Sequence, residues 1–463
     1  MAATPAARLD AAGLPGARTP PYSSIEGVHA PGADMQQLSE FYDLMASTVP
    51  IRRELVSYYL LDVAKPTRLQ ALREVRRRLA EAPTDDRGRL RLADRQGREI
   101  LVQADYEALE LDKDLRFFEE GEAAFASYLG ELHPRFGEES KELVDFLRRG
   151  DGGASPAGAS PSQRLHPYDV FVTDRDGTVN NYCARYRSSV QSAYNAVFLS
   201  RFGSTFSERP LILTSAPLQE LGIRELTVIP ENSYVLAGSK GREYRALSGE
   251  RQAAPLTEEQ EAAISELNRR LEELLERPEN RVFGLIGSSL QKKHGETTLA
   301  RQDINESIPP EESERFRQEV EAIVGELNNG TAGESATGQS SAPQFRIEDT
   351  GKDLEIMLAD GAAPPDGDVA TGRFDKGDGV AFLMKSLGRS LEDREVLISG
   401  DTASDIPMVS RAMEMGARVT TVFVTSDRDL QQQVQETGAR AHFVSTPDVL
   451  VTGLDLLAKG YNA

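Results

Sequence analysis

The sequence predicts an α/β protein with a Rossmann-like parallel sheet core, an inserted α/β cap domain and an N-terminal mainly helical domain. Short apolar segments such as Val170 to Val172 end abruptly in carboxylates or hydroxyls, which is typical of the carboxyl edge of an open parallel sheet. About 160 residues separate Ser215, at the end of one such segment, from Lys376 at the start of a later helix. One crossover helix needs far fewer residues than this. Residues 35–149 show mostly helical spacing of apolar side chains.

The composition limits the partners of the protein. The formal net charge is −21, from 74 acidic and 53 basic residues, which argues against nucleic acid or an anionic membrane as a partner. An acidic soluble surface is expected, and adaptation to high salt is the alternative. The single cysteine, Cys183, rules out an internal disulfide and favours a reducing, cytoplasmic location.

The chain has no window of eighteen apolar residues, so we expect no transmembrane helix. Residues 1–24 are rich in Ala, Pro and Gly without a continuous apolar segment, which argues against a secretory signal. Residues 1–34 are predicted to be a disordered tail.

Residues 35–149 are predicted to form a separate accessory domain. Helices are expected over Phe41 to Leu61, Thr67 to Leu79, Asp105 to Leu129 and Glu138 to Leu147, with a hairpin over Arg89 to Val102. No catalytic pattern occurs here, so a regulatory or oligomerisation role and simple packing on the core both stay open. Residues 150–163 are predicted to be a linker, and residues 164–463 are expected to fold and act without the first 150.

The segment Asp169 to Thr178 combines an apolar strand with two aspartates and a glycine. Gly177 permits a tight turn that brings Asp174 and Asp176 together at the end of the strand. A calcium loop of the EF-hand type is excluded, because its sixth and twelfth positions would be Val179 and Arg185. An ordinary polar turn is the alternative if the motif stands alone.

Three further segments follow in order: Pro210 to Ser215, a strand ending in hydroxyls; Phe374 to Gly377, which opens a helix with Lys376; and Val396 to Asp405, a strand ending in Gly-Asp-x-x-x-Asp. This ordered set resembles the haloacid-dehalogenase-like phosphohydrolase superfamily. The resemblance implies that Asp174 is a nucleophile that forms an aspartyl-phosphate, and that Asp176 is a general acid and base.

The same resemblance implies how phosphate and metal are held. Lys376 and Thr214 would bind phosphate oxygens, although Ser215 has the same chemistry and is the alternative to Thr214. Mg²⁺ would be bound by Asp174, the backbone carbonyl of Asp176 and Asp401. Asp405 would hold Asp401 or a metal-bound water in place.

The core is predicted to comprise residues 164–217 and 373–463, and the cap residues 218–372. Within the cap, strands are expected at Val228 to Ala237, Val282 to Ile286, Thr297 to Arg301 and Phe345 to Met357, and helices at Thr257 to Glu276 and Pro310 to Leu327. Residues 328–342 and 360–372 are predicted to be loose loops.

The cap's position, together with the segment Ala237 to Glu243, is similar to the sugar-phosphatase branch that includes trehalose-6-phosphate phosphatase. Lys240 stands where that family has histidine, and Gln291 where it has glutamate. The resemblance implies that Lys293 and Glu355 contact the sugar, although both could instead be solvated charges. Trehalose 6-phosphate is the first candidate substrate, and sucrose phosphate, glucosylglycerol phosphate and mannosyl-phosphoglycerate are the alternatives.

Two rival functions remain. A phosphomutase of the same superfamily would use Asp174 and Asp176 but return the phosphoryl group to a sugar. A non-catalytic partner of a glycosyltransferase would usually have lost a motif aspartate, and all four are present here. A functional link to the glycosyltransferase that makes the sugar phosphate is expected in either case.

Overall fold

The computed structural model describes residues 35–63, 66–94, 96–148, 168–207, 210–304, 306–330, 344–359 and 374–462. The predicted tail, the predicted linker and most of the two predicted loops lie outside these residues. Within them, no helix is both long and apolar enough to cross a membrane.

The N-terminal part contains the predicted helices and hairpin. Its elements are α1 (Leu38–Leu60), α2 (Pro66–Glu81), β1 (Leu90–Ala93), β2 (Glu99–Val102), α3 (Asp105–Leu132) and α4 (Phe136–Arg148). The strands β1 and β2 pair antiparallel. The helix α3 is interrupted at Gly121, whose φ is 80°.

The next segment begins the core. Its elements are β3 (Val170–Thr173), α5 (Ala193–Phe206), β4 (Pro210–Leu213), α6 (Ile223–Leu226), β5 (Val235–Gly238), β6 (Glu243–Arg245) and β7 (Arg251–Ala253). The cap follows with α7 (Glu258–Glu276), β8 (Leu290–Lys293), β9 (Glu296–Ala300), α8 (Pro310–Gly330), β10 (Phe345–Asp349) and β11 (Asp353–Leu358).

The chain then returns to the core. The last elements are α9 (Lys376–Ser386), β12 (Glu395–Gly400), α10 (Ile406–Glu414), β13 (Arg418–Val424), α11 (Arg428–Glu436), β14 (Arg440–Val444) and α12 (Pro447–Asn462). The predicted α/β fold class is therefore confirmed.

The core sheet has the strand order β14-β13-β12-β3-β4-β5-β6-β7. Strands β14 to β5 are parallel, and β6 and β7 add antiparallel to them. The strands β4 and β5, which come before the cap in the chain, lie on one side of β3. The strands β12, β13 and β14, which come after the cap, lie on the other side. The strand order therefore reverses between β3 and β12, which is where open α/β sheets bind ligands.

The predicted start of the cap at residue 218 is wrong. The strands β5 to β7 hydrogen-bond within the core sheet, whereas β8 to β11 form a separate four-stranded antiparallel sheet in the order β10-β11-β9-β8. The inserted sheet therefore comes after Ala253. The sequence did not separate the two sheets because β5 to β7 are only three or four residues long and lie close to the cap elements in the chain.

Three predicted strands of this region differ in the structure. Only the end of Val228 to Ala237 is a strand, because Pro230 and the positive φ of Asn232 (67°) interrupt the extended backbone before it. The segment predicted as a strand at 282–286 contains a 3₁₀ turn, Arg281–Gly284. The strand predicted over 345–357 is a hairpin that turns at Gly351, where φ is 84°.

Alternating side chains of β3 enter the two cores on opposite faces of the sheet. Val170 and Val172 pack with α9, α10 and α11, while Phe171 packs with α5 and α12 on the other face. Apolar residues of α1, α3 and α4, including Phe117 and Leu143, belong to that second core.

The structure thus favours packing on the core as a role of the N-terminal part. The structure also argues against independent folding of residues 164–463, because a fragment without the first 150 residues would expose this shared apolar layer to water.

Candidate active site

The predicted nucleophile lies at the point where the strand order reverses. Asp174 directly follows β3, and the flanking strands β4 and β12 end at the same edge because all three are parallel. Gly177 turns the chain back with φ of 86°, and a Cβ at this position would come within 2.1 Å of Asp401 Oδ2. A glycine is therefore required for the close approach of the two loops.

Three carboxylates and one ammonium converge here. Ligand oxygens of Asp174, Asp401 and Asp405 lie within 4.8 Å of one another. Lys376 Nζ donates to Asp174 Oδ1 at 2.7 Å and to Asp405 Oδ1 at 2.5 Å. The other Asp405 oxygen accepts from the backbone N–H groups of Asp401 and Thr402, both at 3.0 Å, so Asp405 supports the loop that carries Asp401.

Burial and mutual repulsion shift the ionisation of these groups. Burial raises the pKa of Asp174 to about 6, although Lys376 opposes this. Burial, together with the charges of Asp174 and Asp405, raises the pKa of Asp401 to about 8. Burial alone would lower the pKa of Lys376, but the two carboxylates that it contacts raise it above its usual value.

The donor set fits a divalent cation. The converging side chains offer only oxygen ligands, which Mg²⁺ prefers. One ammonium, that of Lys376, pairs with two of the three carboxylates, which leaves an excess of negative charge; burial first, and then this charge, raise the pKa of Asp401. A divalent cation between Asp174 and Asp401 would relieve this excess.

Asp176 lies on the same loop with its side chain 22% exposed. Its Oδ1 accepts a hydrogen bond from Ser189 Oγ at 2.9 Å and pairs with the guanidinium of Arg175. Arg175 itself is fully buried and also bonds the Ser189 backbone carbonyl. The carboxyl group of Asp176 is thus oriented by two neighbours, and it lines the cavity above Asp174.

The hydroxyls of Thr214 and Ser215 follow β4 and both line the same cavity. Thr214 Oγ1 accepts from the backbone N–H of Ala216 at 3.3 Å, which fixes its orientation. Thr214 and Ser215 therefore both remain candidates for the hydroxyl that binds phosphate.

The two predicted cap residues reach this cavity from β8 and β11. Lys293 is 6% exposed, and its Nζ lies 3.0 Å from Glu296 Oε1, so it is not a solvated charge. Glu355 Oε2 lies 3.2 Å from Nζ of Lys240, which also contacts Glu296 at 3.0 Å. Lys240 comes from the core, so this ion cluster joins cap and core.

A cavity of about 280 Å³ contains all the predicted site residues except Asp405, which is fully buried behind Lys376. Sequence reasoning missed other lining residues, among them Tyr182, Ser189, Gln302, Asp303 and Asp353. They lie in loops or at strand ends without a periodic pattern that would single them out.

Residues 171–450 match the family described as "Trehalose-6-phosphate phosphatase, C-terminal", and residues 37–136 match "Trehalose-6-phosphate phosphatase N-terminal helical bundle domain". The chain is 32% identical over 322 residues to the trehalose-phosphatase of Caenorhabditis elegans, which covers 68% of this chain and 67% of that protein.

Another relative is the UDP-forming alpha,alpha-trehalose-phosphate synthase 1 of Caenorhabditis briggsae, 29% identical over 461 residues. That alignment covers 90% of this chain but 31% of the relative, so the chain spans about a third of its length. Among solved structures, the C-terminal domain of C. albicans trehalose-6-phosphate phosphatase is similar with a TM-score of 0.41 and 14% identity, covering 69% of this chain and 96% of that one.

Proposed function

The chain belongs to the trehalose-6-phosphate phosphatase family, and we propose that it is a Mg²⁺-dependent phosphatase that hydrolyses trehalose 6-phosphate to trehalose and phosphate. The observation that carries this proposal is the convergence of Asp174, Asp176 and Lys376 from the core with Lys293 and Glu355 from the cap on one cavity. The core groups suit phosphoryl transfer, and the cap groups suit the hydroxyls of a sugar.

In the first half of the reaction, a carboxylate oxygen of Asp174 attacks phosphorus and the bond from phosphorus to the sugar oxygen breaks. Asp176 donates its proton to the departing sugar oxygen. The products are an aspartyl-phosphate on Asp174 and the free sugar. In the second half, Asp176, now a carboxylate, takes a proton from water as the water oxygen attacks phosphorus. Phosphate leaves and the Asp174 carboxylate is restored.

The phosphoryl group is held by the residues around the nucleophile. Lys376 places its ammonium 2.7 Å from Asp174 Oδ1, where it neutralises charge on the phosphate oxygens. A hydroxyl of Thr214 or Ser215 donates to another of these oxygens. Because Lys376 is also fixed by Asp405, its position is set before the substrate binds.

Asp174, Asp401 and the backbone carbonyl of Asp176 would hold the Mg²⁺ ion, with Asp405 supporting the Asp401 loop. Bound Mg²⁺ supplies positive charge that stabilises the phosphate oxygens and lowers the repulsion between them and the nucleophile. The convergence of three carboxylates around the single ammonium of Lys376 supports this assignment.

The cap supports a sugar phosphate as substrate. The core groups read only phosphate, so discrimination between phosphate esters falls to the groups on the cap side of the cavity. Lys293 and Glu355 offer a donor and an acceptor for hydroxyls. Sucrose phosphate, glucosylglycerol phosphate and mannosyl-phosphoglycerate remain as alternative substrates. The relative named as a trehalose-phosphate synthase supports a proposed link to the glycosyltransferase that makes the substrate.

Phosphate release from a panel of these sugar phosphates, with and without EDTA, tests the proposal. We expect trehalose 6-phosphate to give the highest kcat/KM, and activity to be lost with EDTA. Asp174→Asn should abolish turnover, because the amide is a poor nucleophile of nearly the same shape.

Asp393→Asn is the matched control, since that side chain is 91% exposed and precedes β12 at the opposite edge of the sheet. Near-normal activity of Asp174→Asn would contradict the covalent mechanism. Phosphate transfer to a second sugar hydroxyl without release of free phosphate would instead favour a phosphomutase.

A further inference from the structure

The side chain of Asp176 is connected to the N-terminal helices through a chain of hydrogen bonds. Ser189 Oγ donates to Asp176 Oδ1 at 2.9 Å, and the same Oγ lies 3.3 Å from the amide nitrogen Nδ2 of Asn180. That amide nitrogen also donates to the hydroxyl of Tyr106 at 3.0 Å. Tyr106 is in the first turn of α3, outside the core.

Tyr106 contacts both ends of the loop that carries these groups. Its hydroxyl accepts from Asn180 and donates to the backbone carbonyl of Val190 at 3.0 Å. Ser189 lies immediately before Val190. The Tyr106 hydroxyl therefore fixes both the backbone next to Ser189 and the side-chain amide of Asn180, which contacts Ser189. The position of Ser189 Oγ against Asp176 is therefore set partly from α3.

Other residues of α3 hold the neighbouring backbone firmly. Asp114 Oδ1 accepts from the backbone N–H groups of Ala193 and Tyr194 at 2.7 and 3.2 Å, at the start of α5. Asp114 is fully buried and is itself paired with Arg52 of α1 at 2.6 Å. The helix α3 therefore has a fixed position on the core, so the hydroxyl of Tyr106 on this helix is held in a fixed position as well.

We propose that Tyr106 is a positioning residue for Asp176, acting through Asn180 and Ser189 to hold the Asp176 carboxyl where it protonates the leaving sugar oxygen. This inference rests on the proposed function, because it takes Asp176 as the proton donor. It assigns the N-terminal helices a part in catalysis besides packing.

The test compares two substrates with different leaving groups, trehalose 6-phosphate and p-nitrophenyl phosphate. A sugar alkoxide needs a proton as it leaves, whereas p-nitrophenolate is a stable anion that leaves without one. Tyr106→Phe removes only the hydroxyl. We expect kcat/KM for trehalose 6-phosphate to fall by about 3- to 10-fold, the size of one hydrogen bond, while kcat/KM for p-nitrophenyl phosphate stays nearly unchanged.

Tyr59→Phe is the matched control. Its hydroxyl donates to Glu122 Oε1 at 2.8 Å within the N-terminal part, and neither of these two residues lines the cavity of Asp176. This variant should leave kcat/KM for both substrates at the wild-type value. A second variant, Ser189→Ala, should show the same selective loss as Tyr106→Phe, and the double variant should be no worse than Ser189→Ala alone, because both act through one chain of contacts.

Equal losses on both substrates, no loss in Tyr106→Phe, or additive losses in the double variant would overturn the proposed role of Tyr106 while leaving the phosphatase proposal intact. A wild-type protein that releases phosphate from neither substrate would instead overturn the proposed function, and the role of Tyr106 with it.

Discussion

Replacing Lys113 by methionine tests whether the N-terminal helices and the core form one cooperative unit. Lys113 lies on α3 with its side chain 1% exposed, and its Nζ is 2.8 Å from both Glu110 Oε1 and Asp448 Oδ2. Asp448 is in the first turn of α12, the last helix of the core. Methionine keeps most of the volume of lysine and removes the charge.

The expected loss follows from the charges that stay behind. The side chains of Glu110 and Asp448 are 2% and 1% exposed, so both carboxylates would lose their cation without gaining water. Breaking a buried pair in this way costs about 3–5 kcal/mol. Asn181 still donates to both carboxylates, at 3.1 and 3.0 Å, so we expect the lower end, about 3 kcal/mol.

The loss should depend on pH. Burial alone would raise the pKa of Asp448, but Lys113 and other donors hold it below its usual value. A carboxyl group of this kind stabilises the folded state above its unfolded pKa, and that contribution is lost as the pH falls. The difference in free energy of unfolding between the wild type and Lys113→Met should therefore persist from about pH 7 to about pH 4 and narrow as the pH falls further.

Urea unfolding followed by far-ultraviolet circular dichroism and tyrosine fluorescence measures the loss. Lys141→Met, which changes an exposed lysine of α4, is the control and should stay within about 0.5 kcal/mol of the wild type. A loss below about 1 kcal/mol in Lys113→Met, or two separate transitions of which only one shifts, would refute the reasoning.

Three further outcomes are expected. Asp176→Asn should lower kcat for the sugar phosphate by about 100- to 10,000-fold, and an undiminished kcat would exclude it as the general acid. Lys293→Met and Glu355→Gln should each raise KM for trehalose 6-phosphate but leave KM for p-nitrophenyl phosphate nearly unchanged. Equal effects on the two substrates would mean that neither side chain contacts the sugar. Burial opposes ionisation of Glu296, yet Lys293 and Lys240 lower its pKa to about 2. Glu296→Gln should therefore destabilise the protein at neutral pH by an amount that shrinks as the pH falls from about 4 toward 2, and a constant difference in unfolding free energy would contradict this.

The sequence was sufficient to predict where the core residues of the candidate site lie. Asp174, Thr214 and Asp401 each follow an apolar strand directly, and Lys376 opens a helix, so local pattern fixes their places along the chain. Parallel strands then bring these places to one edge of the sheet. Asp405 was assigned to the same cluster by the resemblance of its Gly-Asp-x-x-x-Asp segment to the superfamily.

The cap was harder to predict because its strands carry little periodic signal. The strand β8 reads Leu-Gln-Lys-Lys and was not predicted, since three of its four residues are polar and the burial of Lys293 depends on its pairing with Glu296. The short strands β5 to β7 extend the core sheet through backbone hydrogen bonds, with few apolar side chains such as Val235 and Tyr244 in the core. No local pattern specifies which of two nearby sheets such a strand joins.

The place of the N-terminal helices could not be predicted, because helical spacing does not specify which surface an apolar face covers, and the polar contacts that also hold these helices join residues far apart in the chain. The hydroxyl of Tyr42, on α1, and Nη1 of Arg185, in the core, donate to the same carbonyl of Leu285 in the cap, at 2.5 and 3.0 Å. The N-terminal part, the core and the cap therefore meet at one carbonyl group. Tyr106 of α3 also contacts Asn180 and Val190, so the first helices contact both the loop that follows Asp176 and the cap. Any displacement of the cap away from the core would have to break the hydrogen bonds at this carbonyl or carry the N-terminal helices along.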